Sequence, residues 1–210
     1  MSAPTPSLFS HCHKCGSAYA AGSDSFPKTC GSCSHMHYRN AIPVAVGMVP
    51  CEDGLLGVIR GIEPQKNREA LPGGFAEIET PEQACSRELA EESGVEVDPS
   101  KWRYQSSFLT PNGNVLLFFL ADIEPIAIPA YPFPQLDRER PETLGFTVIR
   151  PGCDLAFSSH TAAAEAALEI LSAKAGFDEA KDISGAPSSA RHKLDRLKEG
   201  LNLPRAAPRP

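Results

Sequence analysis

Apolar residues recur along this chain with two periods. Residues 41–49, Ala-Ile-Pro-Val-Ala-Val-Gly-Met-Val, form a continuous apolar run of strand length and predict a buried strand. Residues 55–60 are expected to return beside it as a hairpin partner across Glu52-Asp53-Gly54. A second hairpin is predicted from 104–109 and 115–120, joined through Pro111-Asn112-Gly113, because Asn-Gly favours a tight turn. Residues 143–149 read as a closing strand. Helical spacing appears between these runs. Thr80 followed by Pro81, Glu82 and Gln83 is a capping box with proline at the first helical position, and Gly94 suits a left-handed stop, so a helix is expected over 81–93. The alanine-rich stretch 159–173, with Leu168 and Leu171, predicts another. Prolines at 125, 129, 132 and 134 rule out a regular element over 124–140, which reads as an inserted loop.

The helix over 81–93 breaks two local rules. Glu88, Glu91 and Glu92 fall at i, i+3 and i+4, so they share one side and repel one another by about 0.2–0.5 kcal/mol per pair. They also lie in the C-terminal half, where the helix macrodipole disfavours anions by about 0.3–1 kcal/mol each. A divalent cation removes the conflict, because a face of hard oxygen ligands holds Mg²⁺ or Mn²⁺ while leaving coordination positions for water and phosphate. A solvated glutamate-rich helix is the bland alternative. Against it, Arg87 is placed to pair with Glu79 across the preceding turn, while Ala84 and Leu89 are available to a core.

Taken together, Gly73, Glu79 and Arg87-Glu88-Leu89-Ala90-Glu91-Glu92-Ser93-Gly94-Val95 resemble the Nudix hydrolase signature, G-x5-E-x7-R-E-U-x-E-E-x-G-U with U aliphatic, at every fixed position. The resemblance extends to Leu71-Pro72-Gly73-Gly74-Phe75 and Arg60-Gly61-Ile62-Glu63-Pro64 and covers residues 41–173. It implies an α/β fold, an α/β/α sandwich with a mixed sheet, and metal-dependent hydrolysis of a nucleoside diphosphate linked to another moiety. By the same resemblance Glu88, Glu91 and Glu92 would hold Mg²⁺ or Mn²⁺, with Glu92 or a loop carboxylate taking a proton from the attacking water. Arg87 and Glu79 would support them. The chain departs from the family where the signature opens on the first glycine of the pair, so either Gly73 or Gly74 offers the metal a carbonyl. It departs again where relatives place a glutamate on the closing strand. Gly145 aligns there, and Glu142 is the substitute. Asp122, Glu124, Asp137 and Glu139 are candidates for a base on a mobile loop. Arg60, Phe75, Tyr131 and Phe133 are candidate substrate contacts, the last two as a lid stacking on a base.

The second motif is near the start. Cys12 and Cys15, then Cys30 and Cys33, are two C-x2-C pairs separated by fourteen residues, the pattern of a structural zinc site. About forty residues cannot bury an adequate core, so the metal would supply most of this lobe's stability. Four thiolates leave zinc no open position for catalysis. His11, His13, His35 and His37 flank the knuckles off the ligand spacing and read first as surface residues. Cys51, Cys85 and Cys153 read as ordinary buried thiols. A four-cysteine ribbon ahead of a Nudix domain resembles pyrophosphatases acting on NADH or FAD, and Asp154-Leu155-Ala156-Phe157-Ser158-Ser159 resembles a segment of such members. Their Ser-Gln-Pro-Trp element is missing, and Ser106-Ser107-Phe108-Leu109 stands in that region.

Composition narrows the partners. In 210 residues, 41% hydrophobic and 22% charged, no apolar run reaches the roughly 20 residues that span a bilayer. Residues 1–10 lack a cationic start and an apolar run, so a reducing, cytoplasmic compartment is expected and disulfides are not. A net charge of −6 disfavours nonspecific nucleic-acid binding, which leaves capped RNA only as a substrate. Residues 188–210 carry +4. Residues 188–201 predict a short basic helix with Leu194, Leu197 and Leu201 on one side, followed by a disordered end. The expected layout is a ribbon over 1–40, a Nudix domain over 41–173 and a tail over 174–210. A homodimer is possible by family analogy. The competing reading is a sensor that binds a nucleotide without cleaving it, and a further one is an RNA-cap pyrophosphohydrolase.

Overall fold

The computed structural model describes residues 9–20, 25–130 and 141–182. In the first lobe β1 (Lys28–Thr29) pairs antiparallel with β2 (Met36–His37), two short strands framing the cysteine knuckles. The rest is built from β3 (Ile42–Met48), β4 (Pro50–Cys51), β5 (Gly54–Arg60), β6 (Glu69–Ala70), β7 (Gly73–Phe75), α1 (Pro81–Ser93), β8 (Trp102–Leu109), β9 (Asn114–Ala121), β10 (Thr143–Ile149) and α2 (Ser158–Asp182).

These strands form two sheets. One is mixed, in the order β7-β3-β9-β8, with β3 parallel to β9 and antiparallel to β7. The other is antiparallel, β10-β5-β4, with β6 also on β5. Because β3 is covered on both faces, its apolar run has no polar alternation. Val46 and Met48 pack with Phe118, Leu120, Ala164 and Ala167 toward α2, whereas Ala45 and Val49 pack with Phe119, Trp102, Ala84 and Leu89 toward α1. Helices on two sides of the sheets give the expected α/β/α sandwich.

The helix α1 begins and ends where the sequence places it. Thr80 caps it with φ −72° and ψ 155°, its hydroxyl accepts from the Gln83 N–H at 3.3 Å, and Gln83 Oε1 accepts from the Thr80 N–H at 2.9 Å. Gly94 closes it at φ 71°. The hairpin of 104–109 with 115–120 forms as β8 and β9, and β10 covers 143–149. The first expected hairpin does not form in full. Residues 55–60 pair with β10, β6 and only Pro50–Cys51, so the chain leaves the mixed sheet at Val49 and turns back in the other one. The neighbours of β3 are β7 and β9 instead. Helix α2 runs past 173 to Asp182. The basic helix expected over 188–201 lies outside the described residues.

Candidate functional site

Arg87 is the hub of the site. Its Nη2 and Nε donate to Glu79 Oε1 at 2.6 and 3.0 Å, its Nη1 donates to Glu88 Oε1 at 2.8 Å and Glu91 Oε2 at 3.3 Å, and its Nη2 also reaches the Phe75 carbonyl at 2.9 Å. One guanidinium thus ties α1 to the glycine loop and neutralises part of the glutamate charge, a role for which its planar fork is suited. Hydrogen bonding to Arg87 draws Glu79 below the usual carboxylate range.

Glu88 and Glu92 turn toward the two glycines. Glu92 Oε2 accepts from the Gly73 N–H at 2.9 Å. A Cβ at Gly74 would collide with the Glu88 carboxyl, and one at Gly73, where φ is +153°, would strike the Ala45 carbonyl. Gly74 therefore lets the backbone lie directly against the Glu88 carboxyl, while Gly73 lets it lie against β3 and present its N–H to Glu92. The Glu92 residue keeps some solvent contact, yet its carboxyl is enclosed. Desolvation pushes it up to about 8 against the hydrogen bond from Gly73, with Glu88 and Glu142 adding like charge and Arg60 opposing them. Burial likewise raises Glu88, which Arg87 partly offsets and which Glu91 and Glu142 reinforce. Paired carboxylates with raised proton affinity are the mark of a site built to take a cation or a proton.

Glu142 is exposed on the approach to β10, where its carbonyl accepts from the Gly61 N–H at 2.7 Å. Its charge reaches both Glu88 and Glu92. Gly145, opposite Ile59 in β10, offers no side chain. Arg60 donates from Nε to the Pro64 carbonyl at 3.0 Å, and its guanidinium lies 5.0 Å from the Phe157 ring centre. Phe75 is 55% exposed beside the glycines. Asp122 is held by Lys174 at 3.2 Å and Arg103 at 3.5 Å. Tyr131, Phe133, Asp137 and Glu139 lie outside the described residues. A cleft of about 1410 Å³ lies at the opposite end of β5 from Arg60, lined by Glu52, Asp53, Lys101, Asp122, Leu168 and Lys174 and by none of the signature glutamates.

One residue here was not singled out by the sequence. His160 is buried near the start of α2, and its Nδ1 accepts from the Leu71 N–H at 3.3 Å. Burial lowers it to about 4, with Arg60 adding to the effect, so it is neutral and able to accept. It rests on Phe118 and Phe157, with ring centres 5.5 and 5.2 Å away, and so anchors the segment leading into Gly73. A lone histidine in an alanine-rich stretch carries no periodic signal.

In the first lobe Cys12, Cys15, Cys30 and Cys33 bring their sulfurs within 4.8 Å of one another. Among the described residues they are the set of three or more metal-ligating side chains drawn that close. The glutamates stand farther apart, with Glu91 turned to Arg87 and Glu92 to Gly73. Cys12 and Cys33 sulfurs are 3.8 Å apart, and Cys15 and Cys30 sulfurs 3.6 Å. Each knuckle closes on a left-handed residue, Gly16 at φ 75° and Ser34 at φ 56°, whose N–H groups reach the Cys12 and Cys30 carbonyls. Hydrogen bonding with Ser17 draws the Cys15 thiol down to about 6.

Comparisons with known proteins agree with this geometry. Residues 41–142 match the model of the NUDIX domain. The NAD-capped RNA hydrolase NudC of Photobacterium profundum is 31% identical over 116 residues, 55% of this chain and 43% of that protein. The protein of the same name from Vibrio vulnificus is 27% identical over 112 residues, 53% of this chain and 42% of that one. The match thus spans less than half the length of these curated relatives. The crystal structure of a NUDIX hydrolase from Nitrosomonas europaea superposes with a TM-score of 0.59 at 24% identity, covering 76% of this chain and 90% of that one. That likeness is one of fold.

Proposed function

We propose that this chain, whose residues 41–142 match the NUDIX domain model, hydrolyses the pyrophosphate of a nucleoside diphosphate linked to another moiety, releasing two phosphorylated products. The observation that carries the reading is the enclosed Glu92 carboxyl, pushed up to about 8 beside Glu88 and against Gly73, within a complete signature. The donor set fits a hard divalent cation: Glu88, Glu91, Glu92, Glu142 and a Gly73 or Gly74 carbonyl are all oxygen. Such an ion, Mg²⁺ or Mn²⁺, would supply neutralisation of charge on the phosphate oxygens. Glu92 Oε1 or Oε2 is the atom we assign to accept the proton of the attacking water. Arg87 fixes the helix face, and the glycines let backbone amides and carbonyls approach without side chains.

The proposed substrate is a dinucleotide cofactor, FAD or NADH, or ADP-ribose. A second reading, a 5′-NAD-capped RNA, is favoured by the names of the two relatives, which are similar over part of their length only. Incubation with FAD, NADH, ADP-ribose and NAD-capped RNA, each with Mg²⁺ or Mn²⁺ and chromatography of the products, separates these readings. Persistent lack of turnover with all four would favour a nucleotide-binding module instead.

A pH dependence follows from Glu92. A carboxyl at about 8 is about nine-tenths protonated at pH 7, so ion uptake there displaces a proton. The apparent Mg²⁺ affinity should rise about tenfold per pH unit between pH 6 and 8 and level off above. Calorimetry in buffers of different ionisation enthalpy checks this. A pH-independent affinity with no proton release would remove Glu92 from the ligand set.

We read residues 1–40 as a zinc ribbon preceding a domain over 41–173, with 174–210 as a tail. Sulfurs about 2.3 Å from one tetrahedral zinc stand about 3.8 Å apart, which the 3.6 and 3.8 Å separations match. Displacing thiol-bound metal with a mercurial should release one zinc per chain. Amide protection over 25–40 should then collapse while the melt of the remaining domain persists. Full ribbon protection in zinc-free protein would contradict this.

A further inference from the structure

The hydroxyl of Tyr19 is an orphan in the cysteine lobe. Its oxygen is buried, and among the described residues no partner lies within ordinary hydrogen-bond reach, although a buried tyrosine normally finds one. The backbone shows what it faces. Ser10 stands opposite Tyr19 and Cys12 opposite Ser17, since the Tyr19 N–H reaches the Ser10 carbonyl at 2.9 Å and the Cys12 N–H the Ser17 carbonyl at 2.8 Å around the His11–Ala18 bridge. Side chains alternate along paired extended segments, so Cys12, Ser17 and Tyr19 share one face. Tyr19 is then the diagonal neighbour of Cys12, at a backbone separation of roughly 7–8 Å that an aromatic side chain spans. Ser17, two positions before it, already stands with its hydroxyl 3.4 Å from the Cys15 sulfur.

The Tyr19 ring has little freedom. Lys28, itself buried, places Nζ 5.3 Å from the Tyr19 ring centre and 5.2 Å from that of Phe26, and donates to the Phe9 carbonyl at 3.2 Å. His37 also carries a buried Nδ1 without a hydrogen-bond partner, but its ring stands 6.4 Å from that of Tyr19 at a tilt of 34°, and the hydroxyl does not reach it. Cys12 does act on the hydroxyl. Burial first, then Cys12 by hydrogen bonding and charge, then Cys30 and Cys33 by charge, hold Tyr19 above the usual phenol range, so it keeps a proton to donate. Cys12 is 1% exposed, so solvent cannot supply its sulfur with a donor. We propose, on the reading of this lobe as a metal ribbon, that Tyr19 is a positioning residue of the four-cysteine centre, its hydroxyl donating to the Cys12 thiolate and tightening the hold on the ion. Partners of this kind orient metal ligands and tune their donor strength.

The test uses the full chain and Y19F, which keeps the ring and loses the proton. Competition with a chelator should show Zn²⁺ held about tenfold less tightly in Y19F, with one ion per chain still bound at saturation. In the cobalt-substituted protein the sulfur-to-metal charge-transfer band should move to lower energy, because a thiolate that loses a hydrogen bond is the stronger electron donor. Y38F, whose exposed hydroxyl donates to the Met36 sulfur at 2.7 Å, should move neither. An unchanged affinity and band in Y19F would overturn the proposal, as would a loss of affinity without the band shift, which marks packing alone. A wild-type chain that takes up no ion would instead sink the ribbon reading, and this proposal with it. Should Y19F lose the lobe altogether, wild type loaded with a spin-active cadmium isotope decides alone: scalar coupling between the ion and the Tyr19 hydroxyl proton supports the bond, and a resolved hydroxyl proton without coupling excludes it.

Discussion

Replacing Glu92 by glutamine is expected to lower kcat by about 10²–10⁴-fold, the range for loss of a positioned proton acceptor, while the metal-free protein melts no lower than wild type. The two effects separate because they draw on different properties of one side chain. Glutamine keeps the oxygen that accepts from the Gly73 N–H, so the tie between α1 and β7 survives. What it removes is a buried acid. Glu92 is at about 8 in the folded protein against about 4.3 in an unfolded chain, so the folded state holds a proton that the unfolded state has released. Stability in the absence of metal therefore falls as pH rises from about 4.3 to about 8, the direction required when the native state binds more protons. E92Q should remove the Glu92 share of that slope, leaving what the raised Glu88 contributes, and become the more stable of the two near pH 8. Thermal melts at pH 6 and 8 in chelator, alongside turnover on the best substrate, give both readouts. Full turnover in E92Q would end the assignment of the proton acceptor. A slope as steep in the variant as in wild type would instead place the raised proton affinity elsewhere, at Glu88 first.

The sequence made some of this site legible and hid the rest, and the division follows contact range. Helix α1 was readable to the residue because Thr80, Pro81, Gln83 and Gly94 act within one or two turns. The Glu79–Arg87 pair was readable for the same reason, since eight positions span the first two turns of α1 and the residues just before it. The partner of β3 was not. A strand buried on both faces shows no alternation, so nothing local tells whether 55–60, 73–75 or 114–121 lies alongside. The Asn-Gly turn did announce β8 with β9, because there the connection itself fixes the pairing. Contacts between distant segments were the hardest. His160 meets Leu71 across 89 positions, and the need for Gly74 arises from the Glu88 carboxyl packed on it. Glu142 sits between these extremes. Its neighbourhood was readable from the closing strand, but its electrostatic reach to Glu88 and Glu92 emerges only when β10 is laid beside β5.

The arginine hub leads to a large expected loss of stability in the domain. R87A removes the cation that meets Glu79, Glu88 and Glu91 together and frees the Phe75 carbonyl. Breaking a buried ion pair costs about 3–5 kcal/mol. The Arg87 side chain is 31% exposed, so solvent screening reduces this to about 2–3 kcal/mol. A drop in melting temperature of about 5–10 °C is then expected for a domain of this size. Lysine should restore only a fraction, since a single ammonium cannot serve Glu79, Glu88 and the Phe75 carbonyl in the geometry of the planar fork. Neutralising a carboxylate left behind should help, so R87A/E79Q should melt no lower than R87A alone. Added Mg²⁺ should narrow the gap to wild type, because an ion at the glutamates replaces part of the lost positive charge. A normal melt in R87A would show that the glutamate face is held by packing rather than by the guanidinium. Loss of melt without any rescue by Mg²⁺ would detach Glu88 and Glu91 from the proposed ion site.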